Sequence, residues 1–157
     1  MMPSENGSRR SSKRYGRGLA SLVVFGSVAR GQAGDDSDVD CLIICDELPR
    51  GRMRRVRGFS AVEEDLAPVL AALAGRGIFT EVMPVLKTVE EALQRSPLFL
   101  DMVHDALILH DRQGFFRGVL AGMKARLDEL GARRVYQDRR WYWILKPDFK
   151  PGEVFHL

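Results

Sequence analysis

Gly26-Ser27-Val28-Ala29-Arg30-Gly31, followed across Gln32–Asp36 by Ser37-Asp38-Val39-Asp40, is the stretch that decides how this chain is read. An apolar run, Leu19–Phe25, leads into the glycine turn, and a second, Cys41–Cys45, follows the aspartates. The order is strand, tight turn with a short helix, polar loop, strand. Side chains alternate between the faces of a strand, so Asp38 and Asp40 point the same way. Two carboxylates side by side resist joint ionisation unless a cation lies between them. Hard divalent cations, which prefer oxygen ligands, suit such a pair.

Outward from this centre, the chain reads as one domain. Its 157 residues suffice for a real core, and 45 % apolar with 29 % charged residues is the composition of an ordinary globular protein. A net charge of +3 is compatible with a phosphate-bearing partner and selects none. Cys41 and Cys45, four residues apart on one strand, would lie about 13 Å apart, too far for a disulfide. They read as buried, reduced thiols, and with no signal-like apolar core at the N-terminus and no membrane-spanning run the expected location is the cytoplasm.

Residues 1–14 are polar and basic and read as a flexible tail; residues 15–157 read as the folded domain. After Pro49–Gly51, the segment Arg52–Ala74 is helical. Ser60-x-x-Glu63 has capping-box spacing, so Gly58–Ser60 is expected to divide it into two helices, and Pro68 to kink the second. Ile78–Leu86 reads as a third strand with Glu81 at its middle, and Pro84 assigns it to a sheet edge or a bulge. Thr88 with Glu91 repeats the capping-box spacing, and Ser96-Pro97 opens a helix to about Asp105. Ala106–His110 is a short strand or helix end. Phe116, Val119, Leu120, Met123, Leu127 and Leu130 form one helical stripe closed by Gly131. Trp141–Leu145 is a possible strand before an extended end. The fold class is α/β (α+β), a small mixed sheet flanked by helices.

Three familiar readings of the central stretch fail. Gly26-x-x-x-x-Gly31 has Walker A spacing, but Gln32-Ala33 stand where Lys-Ser/Thr are required. The G-x-G-x-x-G dinucleotide pattern is absent. Asp36, Asp38, Asp40 and Glu47 fall at EF-hand positions, but Cys41 occupies the obligatory glycine position and a strand core follows.

The combination Gly-Ser-Val-Ala-Arg-Gly, six residues, then Asp-Val-Asp resembles the signature of the polymerase-beta-like nucleotidyltransferase superfamily, especially its minimal, single-domain prokaryotic members. The resemblance spans Leu22–Ile44. It implies the palm-like nucleotidyltransferase fold and transfer of a nucleoside monophosphate from a nucleoside triphosphate, ATP foremost, to a hydroxyl acceptor on protein or RNA. It implies that Gly26 and Ser27, with Arg30 and Ser37, hold the triphosphate. It implies that Asp38 and Asp40 ligate two magnesium ions. The family's third carboxylate lies on a later, neighbouring strand, and Glu81 is the only acid within Ile78–Leu86. The family often has aspartate there. Asp38, Asp40 and Glu81 are therefore the expected catalytic and metal-binding set. Small members are often encoded beside a HEPN-domain toxin and some modify it with AMP, which implies such a partner. The alternative is a non-catalytic, antitoxin-like binding protein that keeps the fold.

Other features have plainer readings. Arg52, Arg54, Arg55 and Arg57 make a basic helix face, either solvated or a grip for RNA or an acidic protein. Trp141 and Trp143 share one strand face, as a hydrophobic anchor or a base-stacking platform. His104, His110 and His156 lack metal-ligand spacing.

Overall fold

The computed structural model describes residues 15–157, so the N-terminal tail lies outside the described residues. Four strands build the main sheet: β1 (Leu19–Phe25), β2 (Val39–Cys45), β3 (Val82–Thr88) and β4 (Leu107–Asp111), in the spatial order β3-β2-β1-β4. β1 is antiparallel to both of its neighbours, and β2 and β3 are parallel. The helices are α1 (Gly26–Ala29), α2 (Arg52–Ala74), α3 (Val89–Leu93), α4 (Phe99–Asp105) and α5 (Phe115–Glu129), and β5 (Arg133–Gln137) with β6 (Arg140–Ile144) makes a separate hairpin.

β1 and β2 are apolar on both sides because both sides are covered. Leu42 and Ile44 join Val23, Phe99, Phe116 and Met123 in the core beneath α4 and α5, where the Phe99 and Phe116 rings meet edge-on at 5.2 Å. Cys41, Ile43 and Cys45 face the other way, against Phe59 and Val62 of α2. Burial pushes the Cys41 thiol up to about 12 and the Cys45 thiol to about 11, so both stay protonated at neutral pH.

Two expectations are corrected. The Arg52–Ala74 helix is unbroken through Gly58–Ser60, with Pro68 inside it. Phe59, inside the proposed break, and Val62, just after it, are both buried against the sheet, so packing overrides the local capping signal. Pro68 and Glu64, four residues before it, are both exposed, so the carbonyl that loses its partner faces water. The third strand begins at Val82, not Ile78, which leaves Glu81 just ahead of it and not at its middle. Its edge position is as Pro84 predicts.

Caps hold the ends. Thr88 and Glu91 form the full capping box of α3. Asp111 accepts from the Phe116 and Arg117 backbone N–H groups at the start of α5 and from the buried Ser21 hydroxyl at 2.7 Å, tying β1, β4 and α5 together. No described helix is long and apolar enough to cross a membrane.

Candidate active site

The site forms where β1 ends and β2 begins. Antiparallel register sets Phe25 opposite Asp40, so the residue after Phe25, Gly26, arrives beside the Asp40 side chain. The approach is close: a Cβ on Gly26 would lie 2.6 Å from Asp40 Oδ2. Gly26 also has φ +74°, so only glycine meets both demands. Its carbonyl accepts from the Arg30 N–H, closing the turn of α1, whose N-cap residue Phe25 offers no side-chain cap.

Asp40 shares a sheet face with Leu42 and Ile44 but lies beyond the apolar cover that α4 and α5 give them. Its carboxyl is held above the ordinary range, first by partial burial and then by the neighbouring Asp38 charge, with Arg30 opposing. The Asp38 charge therefore acts on the Asp40 carboxyl. Such a pair is a mismatch that a cation relieves. The donor set is all oxygen and fits magnesium, which keeps several waters and takes one or two carboxylates plus phosphate oxygens.

Glu81 reaches this pair through its backbone. Its N–H donates to Asp38 Oδ1 at 3.3 Å, and its carbonyl accepts from Val39 N at 2.8 Å. Among the described residues, no three His, Cys, Asp or Glu side chains group closely enough to hold a metal on their own. Asp38 and Asp40 are neighbours, and the Glu81 side chain does not complete a three-residue metal-ligand group with them. Met83, 47 % exposed, is the β3 residue opposite Asp40. The Ser37 hydroxyl accepts from Gly34 N at 2.9 Å, and its carbonyl accepts from Thr80 Oγ1 at 2.8 Å, so Ser37 pins the loop before Asp38. Asp35 and Asp36 are exposed loop charges.

Arg30 donates through Nε to Gln32 Oε1 at 3.1 Å, and its guanidinium lies over the Trp141 ring. Nothing in sequence spacing links residues 30 and 141; only the hairpin's docking brings them together. Several other candidates make contacts that hold the fold. Arg55 makes a bidentate pair with Glu91 at 2.7 and 2.9 Å, leaving Arg52, Arg54 and Arg57 on the exposed face. Trp141 and Trp143 both donate from Nε1 to Asp101 Oδ1, at 3.0 and 2.9 Å, which anchors the hairpin on α4.

Two sizeable cavities among the described residues are not lined by Asp38 or Asp40. One of about 390 Å³ lies on the α2 side of the sheet beneath the Gly31–Ser37 loop, with apolar walls such as Leu22, Phe59 and Leu70. Another of about 330 Å³ lies between α4, α5 and the hairpin. Asp38 and Asp40 occupy an open shelf at the sheet's end, Asp38 exposed and Asp40 half-buried.

Residues 8–98 match the family described as nucleotidyltransferase domain, and they include the whole Gly-Ser turn and aspartate pair. The chain belongs to that family. It is a nucleotidyltransferase of the polymerase-beta-like superfamily, as its central motif implies. A candidate protein adenylyltransferase of Methanocaldococcus jannaschii is 28 % identical over 135 residues, covering 85 % of this nucleotidyltransferase and 86 % of that protein. A chain of a toxin–antitoxin complex crystallised with AMP-PNP superposes with a TM-score of 0.51 at 17 % identity, covering 82 % of this chain and 93 % of that one. That is a likeness of fold. A chain from the complex of a tri-AMPylated Shewanella oneidensis HEPN toxin with MNT antitoxin gives 0.46 at 14 % identity, over 81 % of this chain and 89 % of that one.

Proposed function

We propose that this nucleotidyltransferase moves AMP from magnesium-bound ATP to a hydroxyl on a protein partner, a HEPN-domain toxin being the partner class, and releases pyrophosphate. The observation that carries the reading is the contact between the Gly26 turn and the Asp40 carboxylate, which Asp38 and burial leave short of a counter-charge. Magnesium there would lower the charge of the triphosphate and favour displacement at the α-phosphorus. Asp40 on β2 and Asp38, just ahead of it, would hold the ion. Gly26 and Ser27 bring backbone and hydroxyl donors to the phosphates, and Arg30 brings positive charge. Ser37 shapes the loop, and its hydroxyl proton remains available to a phosphate oxygen. Glu81 stands beside Asp38 as the group to take the acceptor's proton, or to add a ligand once its side chain turns inward. Protein as acceptor is supported by the Methanocaldococcus jannaschii relative and by the open shelf, which does not enclose a small acceptor.

The test is transfer of label from α-labelled ATP, with magnesium, to the product of the neighbouring gene. Label that moves with the unaltered chain and is lost with Asp38→Asn or Asp40→Asn supports the reading. Partner binding without transfer in all three proteins would overturn it in favour of a non-catalytic role.

A further inference from the structure

The β5–β6 hairpin lies beyond residues 8–98, the stretch that carries the family match, yet it touches the site. The Arg30 Cζ is 4.7 Å from the centre of the Trp141 ring. The indole is itself fixed: its Nε1 donates to Asp101 on α4, and Arg134 lies 5.1 Å from the same ring. Arg134 is held in turn by Asp105 at 2.9 Å. A line of defined contacts therefore runs from α4 through Trp141 to Arg30. An arginine on an open surface samples many rotamers and loses that freedom on binding. A guanidinium already stacked on an indole and bonded to Gln32 has given up much of it beforehand.

We propose that Trp141 is a positioning residue for nucleotide binding, holding the Arg30 guanidinium beside the Asp38–Asp40 pair for the incoming triphosphate. This rests on the reading of the site given under Proposed function. A purely structural Trp141 makes a different demand, because its effect would pass through Asp101 and ignore Arg30.

Equilibrium binding of magnesium-ATP to the full chain separates the two. Trp141→Ala is expected to weaken binding about fivefold to tenfold, and Trp141→Phe, which keeps a ring, by less than about threefold. In an Arg30→Ala background, Trp141→Ala should add less than about twofold, since the group it positions is gone. Trp143→Phe removes the neighbouring bond to Asp101 without touching Arg30, and should lower the melting temperature while leaving affinity within about twofold. Trp141→Leu keeps apolar bulk without a π face; it should match Trp141→Ala and serves if the alanine variant does not fold. Wild-type affinity in Trp141→Ala or Trp141→Leu, or fully additive losses in the double variant, overturns the inference alone. An unaltered chain that binds no magnesium-ATP overturns the proposed function first, and the inference with it.

Discussion

Two pairs of aspartates, similar in composition, sit in opposite circumstances. Asp101 and Asp105 on α4 are partnered: Asp101 accepts two indole N–H groups, Asp105 accepts from Arg134, and both belong to one ion-pair cluster. Asp40 is raised by burial and by the Asp38 charge, with the Arg30 charge as partial relief, while Asp38 accepts a single Glu81 N–H. The first pair stabilises the fold. In the second, an ionised Asp40 opposes folding, and a positive charge beside it would relieve that cost.

The largest effect that would sharpen this contrast is on turnover. Asp40→Asn or Asp38→Asn should cut nucleotidyl transfer by about a thousandfold, while melting without magnesium stays level or rises. Asp101→Ala should do the reverse, costing about 1–3 kcal/mol by leaving two indole N–H groups unpaired, with transfer falling only as the hairpin loosens. Equal loss of stability in both pairs would break the comparison.

Gly26→Ala comes next. The added methyl meets Asp40 Oδ2 and a φ of +74°. Transfer should drop about a hundredfold from the displaced carboxylate, and stability by about 1 kcal/mol, as read by kinetics and chemical denaturation. Third, magnesium alone should raise the melting temperature of the unaltered chain by a few degrees and leave Asp40→Asn unmoved, by mass action on the folded state.

The smallest effect is in pH dependence, and its sign differs between paired and unpaired acids. The Arg55 bond pulls Glu91 down to about 2, against an ordinary value of 4.5. Its stabilisation is complete above about pH 4.5 and is lost as pH falls through about 2. Glu91→Gln should flatten that limb of a stability–pH curve. Asp40 is raised, so its ionisation opposes folding. Asp40→Asn should stabilise the metal-free chain at neutral pH, and the gain should vanish as pH falls below 3.8.

Much of this was legible in one dimension because its causes are local. β1 and β2 occupy the residues their apolar runs mark, and Thr88 with Glu91 caps α3 as spaced. Asp40 lies on β2 as read, whereas Asp38 stands one residue ahead of that strand, where alternation no longer sets its direction. What escaped depends on distant partners. β5, Arg133–Gln137, is mostly charged and polar, and its pairing with β6 turns through Asp138-Arg139 without a glycine; Asp138 itself takes φ +56°. The continuity of α2 rests on Phe59 finding the sheet, and no local rule reports that. The offset of Glu81 follows from its N–H turning to Asp38 Oδ1, a bond between residues 43 apart in sequence. Trp141 was visible as an anchor or a platform, but its neighbour Arg30 was not.

One further point concerns where this fold can be cut. β4 flanks β1 on the side opposite β2, and Phe116, Met123 and Leu127 of α5 lie in the core that covers one sheet face. A fragment ending at residue 98 would keep every signature residue of the family and yet bare a strand edge and a wet apolar sheet. Such a piece would self-associate instead of folding, so the smallest working unit of this enzyme is larger than the segment that identifies it.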